Sequence, residues 1–207
     1  MKKMYIAVLA AALVLISGCS ANSGVTETDN GYRIEELGVS VACPEGWEAL
    51  VGDELYEAVY NTYNDGFESP EDMKELMTLD GLQYLLYLYD EDTGSAVTVS
   101  VQDMTVGEED PTAEEYARSV HDTALFTYMA NGYTTNGTGN FSEVSYSGLS
   151  GYLSEYQLFD PNDDSFMLGG AEFMTESGNN MYSFQAIYGT QEAQEQTLAV
   201  LSSIVSG

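Results

Sequence analysis

Side chains that could do nucleophilic or acid–base chemistry are few in this sequence of 207 residues. His121 is the only histidine, so a Ser–His or Cys–His mechanism would have to use it. It lies about 100° from Val120 on a predicted helix, and we interpret it as a boundary residue half covered by a sheet. The segment Gly148-Leu149-Ser150-Gly151 lacks the glycine that a nucleophile elbow needs two residues after its serine. We therefore predict no catalytic residue.

Acidic side chains dominate the charge of the chain. It has 34 Asp and Glu against 5 Lys and Arg, which gives a net charge of −29. This balance argues against nucleic acid as a partner, because phosphate binding needs a basic face. A pair of carboxylates could hydrolyse glycosides, but no pair stands out in the sequence. A carboxylate-dependent hydrolase is therefore kept as an alternative.

One acidic segment resembles the start of a calcium-binding loop. Asp160-Pro161-Asn162-Asp163-Asp164 has suitable oxygen donors, but Ser165 and Ala171 stand where an EF-hand needs Gly and Glu. We interpret the segment as a turn between two strands. We predict no metal site and no cofactor.

The N-terminus has the pattern of a targeting segment. Met1-Lys2-Lys3 is basic, and the apolar run 5–16 is shorter than the ~20 residues that span a membrane. The run ends in Ile16-Ser17-Gly18-Cys19, which resembles the bacterial lipobox. The resemblance implies a signal peptide over residues 1–18 and a diacylglycerol on Cys19. It places the protein on the extracytoplasmic face of a bacterial cell membrane, anchored by that lipid.

After the signal peptide, the sequence is predicted to consist of a tether and one domain. Residues 19–31 carry the lipidated cysteine and a polar run without aromatics, which predicts a flexible tether. Residues 32–207 are predicted to form a single domain. If Cys19 carries lipid, Cys43 has no disulfide partner in the chain.

Four helices are predicted, two of them with clear start signals. Ser69 is an N-cap candidate before Pro70, with Met73, Leu76 and Met77 as the apolar face and Gly81 as the stop. Thr112-Ala113-Glu114-Glu115 matches a capping box and opens another helix. The first helix is predicted over 53–63. The last follows Thr190, with an inner stripe of Leu198, Leu201, Ile204 and Val205.

Short strands occupy most of the rest of the domain. Segments 32–36 and 39–42 are predicted as strands, and 83–89 and 96–101 as a hairpin in which Val97, Val99 and Val101 share a face. Four more segments are separated by turn residues and predict an antiparallel meander: 141–146, 152–159, 166–174 and 181–188. Helices inserted between antiparallel strands indicate an α+β fold.

The opening and the close of the domain show a family resemblance. Gly38-Val39-Ser40-Val41 with Pro44-Glu45-Gly46-Trp47, and Met181-Tyr182-Ser183-Phe184-Gln185-Ala186 before the last helix, are similar to PsbP-like domains. The resemblance implies an antiparallel β-sheet flanked by helices, a PsbP-like α/β/α sandwich. It transfers no functional residue to this chain.

Tyrosine is the residue type in excess, with 16 copies. Seven of those that fall on predicted strands are Tyr84, Tyr87, Tyr89, Tyr152, Tyr156, Tyr182 and Tyr188. They predict either rings packed between sheet and helices or an aromatic surface for a protein, peptide or glycan. We interpret the protein as a non-catalytic binding or interaction module with an unknown envelope protein, peptide or glycan as partner. The alternatives are the hydrolase and a solute-capture lipoprotein of a transporter.

Overall fold

The computed structural model describes residues 24–62, 67–107, 111–135 and 139–206, so Cys19 and the predicted signal peptide lie outside the described residues. In these ranges the strands are β1 Val25–Thr28, β2 Gly31–Ile34, β3 Val39–Ala42, β4 Glu48–Leu50, β5 Leu82–Asp90, β6 Ser95–Asp103, β7 Gly139–Tyr146, β8 Leu149–Phe159, β9 Phe166–Ser177, β10 Asn180–Tyr188 and β11 Val205–Ser206. The helices are α1 Gly52–Thr62, α2 Pro70–Leu79, α3 Ala113–Ala130 and α4 Gln194–Ser202. None of these helices is both long enough and apolar enough to cross a membrane.

The larger sheet has seven strands in the order β4-β5-β6-β10-β9-β8-β7. Every neighbouring pair is antiparallel. The predicted hairpin is therefore confirmed as β5–β6, and the predicted meander as β7 to β10. Pairing of β6 with β10 brings the hairpin and the meander together as one sheet.

A smaller sheet has the order β1-β2-β3-β11 and includes residues predicted to be tether. β1 and the first residue of β2 lie inside 19–31, so the ordered chain begins earlier than the sequence indicates. Val25, Thr26 and Thr28 are β-branched, which suits a strand. Gly31 has φ 154°, and a Cβ there would lie 2.1 Å from the carbonyl oxygen of Val41. The hairpin therefore needs a glycine at this position.

The helix start signals are confirmed. Ser69 Oγ accepts a hydrogen bond from the Asp72 amide at 3.1 Å. Thr112 Oγ1 accepts from the Glu115 amide at 3.3 Å, and Glu115 Oε2 accepts from the Thr112 amide at 2.9 Å, which completes the capping box. Each arrangement satisfies amide groups that the first turn of a helix leaves unpaired.

The predicted stripe of the last helix is partly wrong. α4 ends at Ser202, so Ile204 follows the helix and Val205 lies in β11, paired with Ser40. The buried residues of α4 are Thr197, Val200 and Leu201, and Ile204 is fully buried beyond the helix. Leu198 of the predicted stripe is only partly buried. The chain leaves α4 early because Val205 and Ser206 can pair with the edge of β3.

The main core lies on one face of the larger sheet, between that face, the smaller sheet and α4. Leu86, Val99, Phe184 and Phe173 stand side by side on β5, β6, β10 and β9, and each is 0% exposed. Ile34, Val39 and Val41 of the smaller sheet and Val200, Leu201 and Ile204 from the C-terminal segment belong to the same cluster. This face is therefore sealed from solvent.

Candidate functional site

The opposite face of the larger sheet carries polar side chains in register. Because side chains alternate along a strand, residues directly paired across the sheet share a face. Two such rows cross the middle of the sheet: Tyr84–Ser100–Ser183–Met174, and Thr98–Gln185–Glu172–Ser154. The sheet thus has one apolar face and one face lined with hydroxyl, amide and carboxyl groups.

The helices leave part of this polar face uncovered. α3 packs on β7, β8 and β9, whereas α1 and α2 pack on β5, where the Tyr56 ring lies 6.3 Å from the Tyr84 ring. Between them a cavity of about 220 Å³ lies over β6, β9 and β10. Tyr116 and Val120 of α3 form one wall of the cavity. The position of the helices, not a gap in the sheet, therefore creates this cavity.

Glu172 lies in the wall of the cavity and, among the described residues, is the one carboxyl group that lines it. Its residue is 9% exposed, and its carboxylate accepts a hydrogen bond from the Ser183 hydroxyl. Burial raises the pKa of Glu172, and the Ser183 hydrogen bond opposes that shift. Burial also raises the pKa of Tyr116, and the nearby Glu172 charge raises it further. The cavity therefore holds a carboxyl group whose ionisation is disfavoured.

No sequence motif singles out Glu172, although the composition of its strand contains a signal for it. Glu172 is the one charged residue in the stretch 166–175 of β9, which is otherwise apolar apart from Thr175. The alternation in β6 and β10 also predicts a polar face, because Thr98, Ser100, Ser183 and Gln185 alternate with buried apolar residues. Which helix covers that face is not visible in the pattern.

His121 is buried, and the prediction of a half-covered boundary residue is wrong. It is 6% exposed, its Nδ1 is hydrogen-bonded to the Ser154 hydroxyl, and its ring lies 5.8 Å from the Phe141 ring. Burial lowers the pKa of His121. Phe141 on β7 covers the edge of α3 that carries His121, which the sequence alone predicts to lie near solvent.

His121 and Ser154 are close enough to act as a base and a nucleophile, a pairing that the sequence did not predict. Ser154 is itself 4% exposed, and neither residue lines the cavity. A nucleophile must reach its substrate, and its base is normally oriented by a third group. Among the described residues, His121 on α3 forms a hydrogen bond with Ser154, and this pair satisfies polar groups that the helix buries.

The other sequence candidates lie apart from the cavity. Ser150 is exposed on β8, and its carbonyl oxygen accepts a hydrogen bond from Thr175. Segment 160–164 is the turn between β8 and β9, as predicted, with Asp160 accepting a hydrogen bond from the Asn162 amide at 2.7 Å. Across the described ranges, no group of three or more His, Cys, Asp and Glu residues is placed to hold a metal ion.

Most of the strand tyrosines are packed and do not form an aromatic surface. Four of the seven are buried: Tyr89, Tyr156, Tyr182 and Tyr188. Tyr84 lines the cavity, and Tyr152 stacks on Phe141 with ring centroids 5.6 Å apart. The packing alternative is therefore the correct one for the buried four.

A larger groove of about 400 Å³ lies between α1 and α2. Four of its lining carboxyl residues are exposed: Asp53, Glu57, Glu71 and Glu75. Lys74 Nζ lies 2.7 Å from Asp53 Oδ1 and 5.3 Å from the centroid of the Tyr56 ring. A solvated acidic face is the ordinary state of such helices, and the buried carboxyl makes the sheet cavity the stronger candidate site.

Comparison with known structures identifies the fold class. The chain has a PsbP-like fold, an antiparallel sheet flanked by helices. It is similar to the solution structure of cyanobacterial PsbP (CyanoP) from Synechocystis sp. PCC 6803, with a TM-score of 0.50 and 13% identity over 94% of this chain and 99% of that one. The predicted fold class and the PsbP-like resemblance are thereby confirmed.

Two further structures are similar at lower scores. A protein from Bacteroides thetaiotaomicron has a TM-score of 0.37 and 12% identity, over 83% of this chain and 46% of that chain. LpqN of Mycobacterium tuberculosis, described as involved in cell envelope biogenesis, has a TM-score of 0.36 and 9% identity, over 82% and 80% of the two chains. No protein-family model and no curated protein sequence matches this chain.

Proposed function

We propose that this protein is a lipid-anchored lipoprotein of the bacterial cell envelope whose PsbP-like domain binds a partner without catalysis. The observation that carries the binding function is the polar cavity beside α3, which is lined by hydroxyl and amide groups and by one carboxyl group. A cleft with a few convergent polar groups and a perturbed titratable residue is the usual form of a binding site. The partner is an envelope protein, peptide or glycan.

The cavity supports binding over the hydrolase alternative. A carboxylate-dependent hydrolase needs two converging carboxyl groups. Among the described residues that line the cavity, Glu172 is the single acid. The second candidate is solute capture. The cavity volume of about 220 Å³ is below the roughly 300–1,000 Å³ of sites for drug-sized ligands, so the solute would have to be small.

The anchoring part of the proposal rests on the basic start, the apolar run and the lipobox-like residues before Cys19. Two buried acyl chains give stable membrane attachment, which one chain does not. In cells that process bacterial lipoproteins, Cys19→Ser should move the protein from the membrane fraction to the soluble fraction or leave it as uncleaved precursor. Mature Cys19→Ser protein that stays in the membrane fraction would contradict the anchor.

The binding part can be tested by filling the cavity. Ser100 stands in the middle of the polar face and lines the cavity, whereas Ser119 is exposed on α3. We expect the immobilised wild-type protein and Ser119→Trp to retain the same envelope components. Ser100→Trp should not retain them. Mass spectrometry identifies the component, and circular dichroism checks that both variants are folded. Retention that does not differ between the two variants would exclude the cavity as the binding site.

A catalytic function would show itself differently. Conversion of the retained component by the wild-type protein, lost by 10²-fold or more in His121→Gln or Ser154→Ala, would replace the binding function with an enzymatic one. We expect both variants to bind as the wild type does, because neither residue lines the cavity.

A further inference from the structure

Glu172 lacks a positively charged partner within the described part of the chain. Of the five Lys and Arg residues, Lys2 and Lys3 lie outside the described ranges. The other three each pair with a surface carboxylate: Arg33 with Glu35, Lys74 with Asp53 and Arg118 with Glu114. A buried carboxylate without a countercharge is costly, and either a proton or a bound cation relieves that cost.

The groups around Glu172 suit an organic cation. The hydroxyls of Ser100 and Ser183 and the side-chain amide oxygen of Gln185 can accept hydrogen bonds. Tyr84 and Tyr116 bring aromatic rings to the cavity, and the face of such a ring attracts a cation. Together these groups offer acceptors to the charged end of a ligand.

The remaining walls suit an apolar ligand body. Leu82, Val120, Met174 and Met181 line the same cavity, and methionine adapts to ligands of varied shape. A hard metal ion would instead need about six oxygen ligands in a regular shell, whereas one carboxylate and scattered hydroxyls line this cavity.

Building on the proposed function of this cavity as a binding site, we propose that it binds the primary ammonium group of a small organic amine, with Glu172 as the countercharge. The three N–H donors of the ammonium pair with the Glu172 carboxylate and with the Ser100 and Ser183 hydroxyls. The carbon skeleton of the amine lies against Met174 and Met181. Ligand binding supplies the positive charge that the described chain does not place beside Glu172.

The test uses cyclohexylamine and its uncharged analogue cyclohexanol, which have similar shape and differ in charge. Each is titrated into the ¹⁵N-labelled purified protein in a neutral detergent, and amide resonances are followed by NMR. We expect cyclohexylamine to shift resonances of β6, β9 and β10 in a saturable manner. Glu172→Gln should weaken cyclohexylamine binding at least tenfold and leave the weaker binding of cyclohexanol unchanged.

Glu176→Gln is the matched control. It removes the same charge from the same strand, but Glu176 is exposed near the end of β9 and does not line the cavity. This variant should bind cyclohexylamine as tightly as the wild type. A wild-type-like amide spectrum for Glu172→Gln shows that the variant is folded, and Ser183→Ala provides a second variant with an intact carboxyl group and an expected partial loss.

Three results would overturn this proposal: no saturable shift with cyclohexylamine, equal affinity in the wild type and Glu172→Gln, or cyclohexanol binding as tightly as the amine. Each of these leaves the proposed function standing if Ser100→Trp still abolishes partner retention. Conversely, if Ser100→Trp retains the partner as the wild type does, the proposed partner-binding function is wrong. Amine binding that depends on Glu172 would in that case still show a small-molecule site.

Discussion

Burial shifts the pKa values of two side chains, Glu172 and His121, in opposite directions. The pKa of Glu172 is raised and the pKa of His121 is lowered, in both cases chiefly because burial disfavours the charged form. Their polar groups are satisfied in the same way, by the serine hydroxyls of Ser183 and Ser154. The difference is access, because Glu172 lines the cavity and His121 does not. Access to the cavity therefore distinguishes the proposed binding residue, Glu172, from the packed residue, His121.

The raised pKa of Glu172 predicts how its replacement changes stability with pH. The unfolded carboxyl releases its proton near 4.5, whereas the folded one holds it to higher pH. Its contribution to stability is therefore complete below about pH 4.5 and is lost as pH rises through the folded pKa. Glu172→Gln does not titrate and can still accept the Ser183 hydrogen bond. The free energy of unfolding of Glu172→Gln, relative to that of the wild type, should therefore be higher at pH 8 than at pH 5.

Urea unfolding followed by the fluorescence of Trp47, the only tryptophan, measures this difference at both pH values. His121 has the opposite pH dependence, but it is present in both proteins, so it cancels in the comparison. Glu176→Gln, which removes a solvent-exposed carboxyl group from the same strand, is measured alongside as the control for the loss of one charge. An equal effect of Glu172→Gln at both values would show that Glu172 titrates as in the unfolded chain.

Among the elements, those specified by local signals were predicted well. The caps at Ser69 and Thr112 depend on residues three positions apart, so the sequence contains the whole arrangement. Apolar faces depend on what packs against them. Met73 is fully buried, whereas Leu76 of the same predicted face is 42% exposed.

The end of the chain shows the same dependence on the neighbouring element. The strand register at Val205 requires β3, which is more than 160 residues away, and no local pattern indicates it. Likewise, β1 is specified by its pairing with β2 rather than by apolar alternation, since three of its four residues are exposed.

α4 is predicted to be a structural element and not a helix free to bind a partner. Leu201 is 2% exposed and belongs to the main core, so Leu201→Ala should lower the free energy of unfolding by about 2–5 kcal/mol. Leu79→Ala, the same substitution at a position of α2 that is 67% exposed, should change it by less than about 0.5 kcal/mol. Chemical unfolding measures both, and an unaffected Leu201→Ala would mean that α4 is not anchored by this residue.

At the scale of the molecule, the hairpin and the meander could be predicted from the sequence, whereas their joining through β6 and β10 and the cavity could not. Alternation in β6 and β10 fixes which residues share a face, and turns fix the order of the meander. The cavity depends on α3 packing over β7 to β9 and on α1 and α2 packing over β5, which leaves part of the polar face of β6 and β10 uncovered. The positions of these helices on the sheet are set by tertiary contacts, which no local sequence pattern indicates. Glu172 becomes a candidate only once that uncovered region is known.

The charge of the whole chain predicts an unusual response to salt. A net charge of −29 destabilises the compact state through repulsion between carboxylates, and added salt screens that repulsion. Salt also weakens the three described ion pairs, but these are at the surface and each contributes little. Screening of repulsion should therefore dominate, and the urea midpoint should rise between 20 mM and 500 mM NaCl. Sucrose at the same osmolality separates screening from solute exclusion, since an uncharged solute cannot screen. A midpoint that falls with NaCl, or rises equally with sucrose, would show that charge repulsion is not what limits the stability of this fold.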